Sequence, residues 1–400
     1  KCNIRAALYK KKNKEQYRIY IGNGNFDNKH SSADKFFTLI APYIVNSFRY
    51  KIPEKFQSLK YNPSLYQLGN ADVLFAECEI KKVKKTHGKT CYCLEVEDNN
   101  NFVSGNMVVH NCFATHVPIL ANRLNIKWCD IEPHTLNIDF NDVLVKFSEK
   151  TRILLFVHWG GVPADYSQLD YIKRFYKHHY RKNLIVIEDC AHAFGSKYNG
   201  KHIGQPDNYQ CYSFQAIKHL NTFDGGALVC PSDESYKLAR MTRWFGLDRD
   251  NNQDFRSNQN VKDWGYKFHM NDINATVGIC NLRGAKENVI RQRENAERYN
   301  REITNPKIYK QYIDKISLPS YWLYTVRVDN RQKFISYLAE RGIEANMVHQ
   351  RCDQHDCMKK FICDLPTMDS IENEYVSIPV NWSLRENEKN LIIEAVNEYA

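Results

Sequence analysis

The chain has 400 residues, 43% of them hydrophobic: too many for one small domain and enough for two or three with cores of their own. No apolar run approaches the roughly 20 residues that cross a bilayer, so a soluble chain is expected, and 13 cysteines without a CxxC pair point to free thiols in a reducing, cytoplasmic compartment. The formal charge of +10 is uneven, with 13 basic against 4 acidic side chains in residues 1–60, 5 against 6 in 61–111 and 38 against 36 in 112–400.

Such asymmetry implies a nucleic-acid-facing segment attached to a nearly neutral body. The first residue is Lys1, not Met, so the sequence reads as part of a longer product whose targeting signal, if any, lies upstream. Residues 1–60 carry KKKNK (Lys10 to Lys14) and the strand-like YRIYI (Tyr17 to Ile21). In SADKFFTLIAPYIVNSFRYKIP (Ser32 to Pro53), Ser32 can cap a helix with Phe36, Phe37, Leu39 and Ile40 on its apolar face, and Pro42 ends it. This stretch resembles the tail of a LAGLIDADG homing endonuclease. The helix bearing that family's catalytic acid has no counterpart, so residual DNA binding by residues 1–60 is expected, without cleavage. A solvated basic face is the alternative.

Residues 61–111 read as β-structure: ADVLFAECEIKKV, CYCLEVE and NFVSGNMVVHN alternate or are β-branched, and Gly or Asn separates them. The last run ends in His110-Asn111-Cys112, which is either a strand entering a turn or a reactive triplet. In their order these parts resemble the C-terminal half of an intein, a β-rich Hint fold. The resemblance implies that Cys112 takes an acyl group from an upstream thioester and that Asn111 then cyclises onto its own carbonyl and cuts the chain. His110 serves as general acid in that cut. Two positions depart from the intein pattern: Cys93 stands where Asp is usual, and Asn100 where His is usual. The opening nucleophile is not found either, so splicing would need a missing N-terminal half as partner.

From Cys112 the pattern becomes α/β. TRILLFVHW (Thr151 to Trp159) reads as a buried strand. DYSQLDYIKRFYKHHY reads as a helix with Leu169, Ile172 and Phe175 on one face, and NLIVIED (Asn183 to Asp189) as the next strand. Strands separated by helices imply a mainly parallel sheet with its site at the strands' C-terminal ends, where Asp189 falls. A lone Lys is usually a surface residue and a lone strand-end Asp often a cap. A carboxylate at a strand end, a Ser-containing strand, Lys218 in a loop and a Gly-Gly turn together suit a pyridoxal phosphate enzyme.

The segments EDCAHAFGSKYNGKHIG (Glu188 to Gly204) and CYSFQAIKHLNTFDGGALV (Cys211 to Val229) resemble the DegT/StrS family of sugar aminotransferases. So do Phe113 to Asp139, VHWGGVPADY (Val157 to Tyr166), GYKFHMNDINATVGICNL (Gly265 to Leu282) and SIPVN (Ser377 to Asn381). The resemblance implies fold type I, the aspartate-aminotransferase-like transferase fold. It implies a large cofactor domain over 112–285, N-terminally incomplete, and a small domain over 286–400. Lys218 would form the Schiff base and move the proton, Asp189 would pair with the pyridine nitrogen, His192 would stack on the ring and Ser213 would bind the phosphate. Lys267 stands where the family more often has Asn; it is either a phosphate ligand contributed across a homodimer interface or a solvated surface lysine. The expected substrates are an amino donor, glutamate, and a nucleotide-linked keto-sugar. Family members carry, before the counterpart of Phe113, a phosphate-binding turn that residues 1–111 do not supply. The alternatives left open are a DNA-associated mobile element beside a disabled enzyme fragment, and a regulator that keeps the cofactor without catalysis.

Towards the C-terminus the sequence predicts one or two helices from Asn271 to about Ile303, a strand WLYTVRV, a helix RQKFISYLAERG ending at Gly342, and a last helix capped by Ser383 with Glu386 three residues on. His349, Cys352, His355, Cys357 and Cys363 have spacings that match no common zinc pair, so no metal is expected.

Overall fold

A computed structural model describes residues 113–249 and 258–400 in full, and residues 6–10 and 17–21 by their backbone. The chain divides into two compact units, Lys1–Val108 and Val109–Ala400. In the first, β1 (Ala6–Lys10) and β2 (Tyr17–Ile21) pair antiparallel with Ala6 opposite Ile21, so YRIYI is a strand as its sequence predicts. The helix expected from Ser32, the strands expected over 61–111, and His110, Asn111 and Cys112 lie outside the described residues.

The second unit opens with two helices, α1 (Phe113–Ala121) and α2 (Phe140–Lys146). Its main sheet has four strands in the order β3-β4-β7-β8. Strands β3 (Ile153–Val157), β4 (Ile185–Asp189) and β7 (Tyr209–Ser213) are parallel, and β8 (Gly226–Val229) pairs antiparallel at the edge. Helix α3 (Tyr166–Tyr180) makes the crossover from β3 to β4, its first turn capped by the Asp165 side chain. Leu154, Phe156 and Val186 of the sheet meet Leu169, Ile172 and Tyr176 of α3 in one cluster. The buried row is therefore 169, 172, 176, the i, i+3, i+7 spacing of one helix face. Phe175, expected in that row, instead stacks on His179 at the helix rim, ring centres 3.8 Å apart. Among the described residues the sheet's other face is not sealed: Ile153 is 40% exposed and Ile185 45%, whereas the sequence reads these strands as buried.

Between β4 and β7 lie the short strands β5 (Lys197–Tyr198) and β6 (Lys201–His202). After β8 comes α4 (Asp233–Thr242), then a single 31-residue helix, α5 (Asp272–Glu302), with Asn271 as its N-cap and Ile303 as its C-cap. The sequence places these ends correctly; α5 also runs unbroken through residue 285, where a domain boundary is expected. Beyond it, β9 (Tyr309–Lys310) and β10 (Ser317–Leu318) precede β11 (Tyr324–Arg327), α6 (Arg331–Ala339), α7 (Pro366–Ile371), β12 (Tyr375–Ile378) and α8 (Glu386–Glu398). Strands β12, β11 and β9 form an antiparallel sheet whose core takes Tyr299 from α5, Phe334 and Leu338 from α6 and Val396 from α8. The N-cap of α8 is Arg385, whose backbone N–H donates to Glu388 Oε2 at 2.7 Å while its guanidinium donates to Glu388 Oε1 at 2.6 Å. The expected cap, Ser383, is engaged elsewhere, its hydroxyl donating to Asn381 Oδ1 at 2.8 Å.

Candidate active site

Parallel register brings the C-terminal ends of β3, β4 and β7 to one edge: Val157 lies beside Asp189, and Asp189 beside Cys211, two residues before Ser213. The Asp189 carboxylate is oriented there by two donors. Its Oδ1 accepts from the Ala191 backbone N–H at 2.9 Å and its Oδ2 from the Thr115 hydroxyl on α1 at 2.6 Å. Each carboxylate oxygen has a second lone pair, so room remains for a further N–H donor.

The preceding residue, Glu188, points to the opposite face by strand alternation and is wholly buried. Its Oε2 accepts from the Tyr166 hydroxyl at 2.5 Å and lies 3.0 Å from His158 Nε2, while Oε1 accepts from Gln205 N and Asn208 Nδ2. Burial alone would raise its pKa, but bonds from His158 and Tyr166 outweigh that and hold it below the usual carboxylate range. His158, Glu188 and Cys190 are the one grouping of metal-ligand-type atoms among the described residues. These hydrogen bonds, with His158 Nδ1 accepting from Ala164 N, already occupy the His158 and Glu188 atoms. The five His and Cys residues weighed for zinc do not converge. His349 Nε2 lies 3.4 Å from His192 Nε2, the Cys363 thiol donates to Trp128 O, and His355 packs edge-on to Phe113.

His192 follows in the tight turn after β4. Gly161 (φ +91), in the segment after β3, lets the chain pass close against that turn, because a Cβ there would meet Ser320 Oγ at 2.4 Å and His192 O at 2.8 Å. Ser320 Oγ donates to His192 O at 3.0 Å, which fixes the turn from the other side. Burial, then Lys218, His349 and His219, push the His192 pKa well below its ordinary value, so the ring is neutral at physiological pH. His192 Nδ1 is buried with no hydrogen-bond partner.

Ser213 ends β7, and Lys218 sits in the loop that returns to β8. Thr222 Oγ1 donates to Asp224 O at 2.7 Å, Lys218 N to Gln215 O at 2.9 Å and Phe214 N to Gly225 O at 2.8 Å, which together hold the loop. Gly226 must be glycine, since a Cβ there would lie 2.6 Å from Tyr212 O. Lys218 Nζ stands 3.5 Å from the centre of the Trp322 ring, and that indole stacks on His192 with ring centres 4.0 Å apart. A cavity of about 270 Å³ opens beside Lys218, lined by Trp322, Glu344, Asn346, Asn381 and Trp382 among others.

Asp189, His192, Ser213 and Lys218 thus share the strand-end edge. Lys267 does not join them: it is exposed, bridged to Trp244, and makes no hydrogen bond or ion pair with any of the four. Sequence reasoning missed Thr115, Glu188 and Trp322. Glu188 was legible as the out-of-phase neighbour of a strand-end Asp. Trp322, more than a hundred residues from Lys218, had no local signal.

With this geometry in place, comparison with known proteins decides the family. Residues 105–397 match the DegT/DnrJ/EryC1/StrS aminotransferase family. The chain belongs to it. GDP-perosamine synthase of Escherichia coli O157:H7 is 26% identical over 278 residues, 68% of this chain and 71% of that protein. The dTDP-3-amino-3,6-dideoxy-alpha-D-galactopyranose transaminase of Aneurinibacillus thermoaerophilus is 28% identical over 292 residues, 72% of this chain and 76% of that one. Among solved structures, the sugar aminotransferase CalS13 from Micromonospora echinospora is 35% identical with a TM-score of 0.68, covering 71% of this chain and 77% of its own. The cofactor of this aminotransferase family member is pyridoxal phosphate. The residues present fit it: a lysine amine in a loop, a carboxylate with spare acceptor capacity, a neutral buried imidazole with an unsatisfied nitrogen, and a strand-end hydroxyl. No helix of the described residues is long and apolar enough to cross a membrane.

Proposed function

We propose that this chain transfers an amino group, from glutamate, to a nucleotide-linked keto-sugar, with Lys218 as the proton-carrying base. The observation that carries the reading is the gathering of Asp189, neutral His192 and Lys218 at one sheet edge beside a cavity that Lys218 itself lines. Bound pyridoxal phosphate supplies an electron sink for the exchange. Asp189, held by Thr115 and Ala191, offers its carboxylate to the pyridine nitrogen and favours the protonated form there. His192 would present an uncharged ring to the cofactor, so no like charge would oppose that proton. Ser213 offers a hydroxyl to the phosphate. Lys218 reaches the cavity with its amine and can take a proton from one carbon and return it to another. The nucleotide-sugar substrate is supported by the names of the two curated relatives, and the polar lining of Glu344, Asn346 and Asn381 suits a sugar's hydroxyls.

A homodimer belongs to the same reading. Trp264 is 75% exposed and Phe268 71%, flanking the exposed Tyr266 and Lys267. An exposed aromatic patch of this kind suits a protein interface, and Lys267 within it can reach a partner's phosphate. The chain is also proposed to carry the C-terminal part of an intein that splices at Asn111/Cys112, with His110 assisting. The ordered strand pattern ending in His-Asn-Cys supports this.

Two measurements test the reading. Glutamate added to the cofactor-loaded chain should convert the cofactor's absorbance to that of its aminated form; an unchanged spectrum would reject an enzyme in favour of a binding-only regulator. The intact mass of the product of the gene extended upstream tests splicing. Loss of residues 1–111 supports it, and a full-length unprocessed mass rejects it.

A further inference from the structure

The stack at His192 holds one ring that belongs to the chain itself. Trp322 lies 4.0 Å from His192, the two planes 25° apart, and Lys218 Nζ lies 3.5 Å from the centre of the same indole. The one indole thus packs against both His192 and Lys218. The Trp322 ring therefore touches both the imidazole and the amine, the two groups that a cofactor ring stacked on His192 and joined to Lys218 would have to touch. His192 is only 3% exposed, and its Nε2 edge is taken by His349 at 3.4 Å.

The backbone holds the indole there. Tyr321, just before it, has φ 51°, a left-handed conformation that costs a bulky residue energy and persists only where its surroundings enforce it. Gln292 Nε2 donates to Tyr321 O at 2.6 Å, and Trp322 Nε1 donates to Ile217 O at 3.1 Å, one residue before Lys218. The backbone just before the indole is thus tied to α5, and the indole itself to the loop that carries the lysine.

We propose that Trp322 is a built-in surrogate for the cofactor ring: in the unloaded chain it pre-positions Lys218 and His192, and pyridoxal phosphate binds by displacing it. The proposal rests on the cofactor reading of Lys218 and His192, and it makes the indole and the cofactor mutually exclusive occupants of one slot. An ammonium over an indole and a ring stacked on an imidazole are both attractive, so removing the indole removes a competitor.

The test uses the full chain and its variants Trp322→Ala, Trp322→Leu and Trp322→Phe. Each is mixed with pyridoxal phosphate and reduced with borohydride at timed intervals, and the labelled lysine is identified by peptide mass. Label should enter at Lys218 roughly tenfold faster in Trp322→Ala and Trp322→Leu than in the wild type, with Trp322→Phe, which keeps a ring, closer to the wild type. Indole emission that Trp322→Phe lacks should change when the wild type is loaded. Label at Lys218 at equal or slower rates in both small variants overturns the proposal and leaves the Lys218 reading intact. Label on another lysine in all four chains overturns that reading, and the proposal with it.

Discussion

The two main sheets of the second unit are built to different degrees of closure. Strand β12, Tyr375 to Ile378, is buried at every residue, enclosed by α5, α6 and α8. Strand β8, Gly226 to Val229, is exposed at every residue, although its sequence is as apolar. The C-terminal sheet completes its own core. The site-bearing sheet is covered by α3 on one face and presents an apolar edge and a half-open face to whatever completes it. On the proposed reading, stability and chemistry are thereby separated: the closed sheet supplies a packed wall, and the open one carries the proposed reactive groups.

The largest effect expected from that separation is chemical. Replacing Lys218 with Ala should lower amino transfer by about 10³-fold or more, because proton transfer by a positioned base is worth roughly 10² to 10⁴ and, on the proposed reading, this residue would also anchor the cofactor. Melting temperature should change little. A Lys218→Ala chain that keeps more than a tenth of the rate would show that the open edge is not the reactive one.

Next comes the pair Glu188 and Asp189, adjacent in sequence and opposite in role. Glu188→Ala leaves His158, Tyr166 and Asn208 buried without their shared acceptor and should cost about 3 to 5 kcal/mol in urea unfolding. Asp189→Asn should leave stability nearly unchanged and weaken cofactor binding, read by the dialysis rate of the bound cofactor. If the two variants behaved alike, strand alternation at β4 would not separate support from chemistry.

The same pair shows what the sequence made readable and what it did not. Asp189, His192, Ser213 and Lys218 lie within one stretch of thirty residues whose motifs resemble the family's, and their proposed roles come from that resemblance; the strands and helices around them follow period 2 or 3.6. The ends of α5 were legible because Asn271 caps it in sequence as in space. Local rules failed where distant chain intervened. Phe175 lost its place in the core to Tyr176, one residue further along the helix. Ser383 turned to Asn381 and left the cap to Arg385. Trp322 and Thr115 reach the site only through tertiary packing, which no window of sequence displays.

A smaller effect is expected from pH. His219, 5% exposed, has its pKa lowered to about 4 by burial, then by Lys218 and Arg293. The unfolded chain takes up that proton near pH 6.5, before the folded chain can. Stability is therefore full above about pH 6.5 and falls as pH drops towards 4, by up to about 3 kcal/mol, with His192 adding in the same direction. Urea midpoints at pH 7, 5.5 and 4.5 should show this slope, and His219→Gln should flatten it.

The smallest effect tests whether the closed sheet is only a wall. Asn330 caps α6, its Oδ1 accepting from Lys333 N at 2.9 Å, and α6 buries Phe334 and Leu338 in the C-terminal core. Asn330→Ala removes the acceptor and leaves one more orphan N–H in the first turn, a cost of about 1 kcal/mol. In a unit of nearly 300 residues that lowers the melting temperature by about 2 °C. The change lies in the closed region, on an element that supplies no residue to the Lys218 loop or to the turn at His192. Cofactor affinity and amino-transfer rate at 25 °C should therefore match the wild type. A shift in either would mean that packing of α6 against β11 reaches the site through the residues just before that strand, Tyr321 and Trp322, and the two sheets would then be one cooperative device.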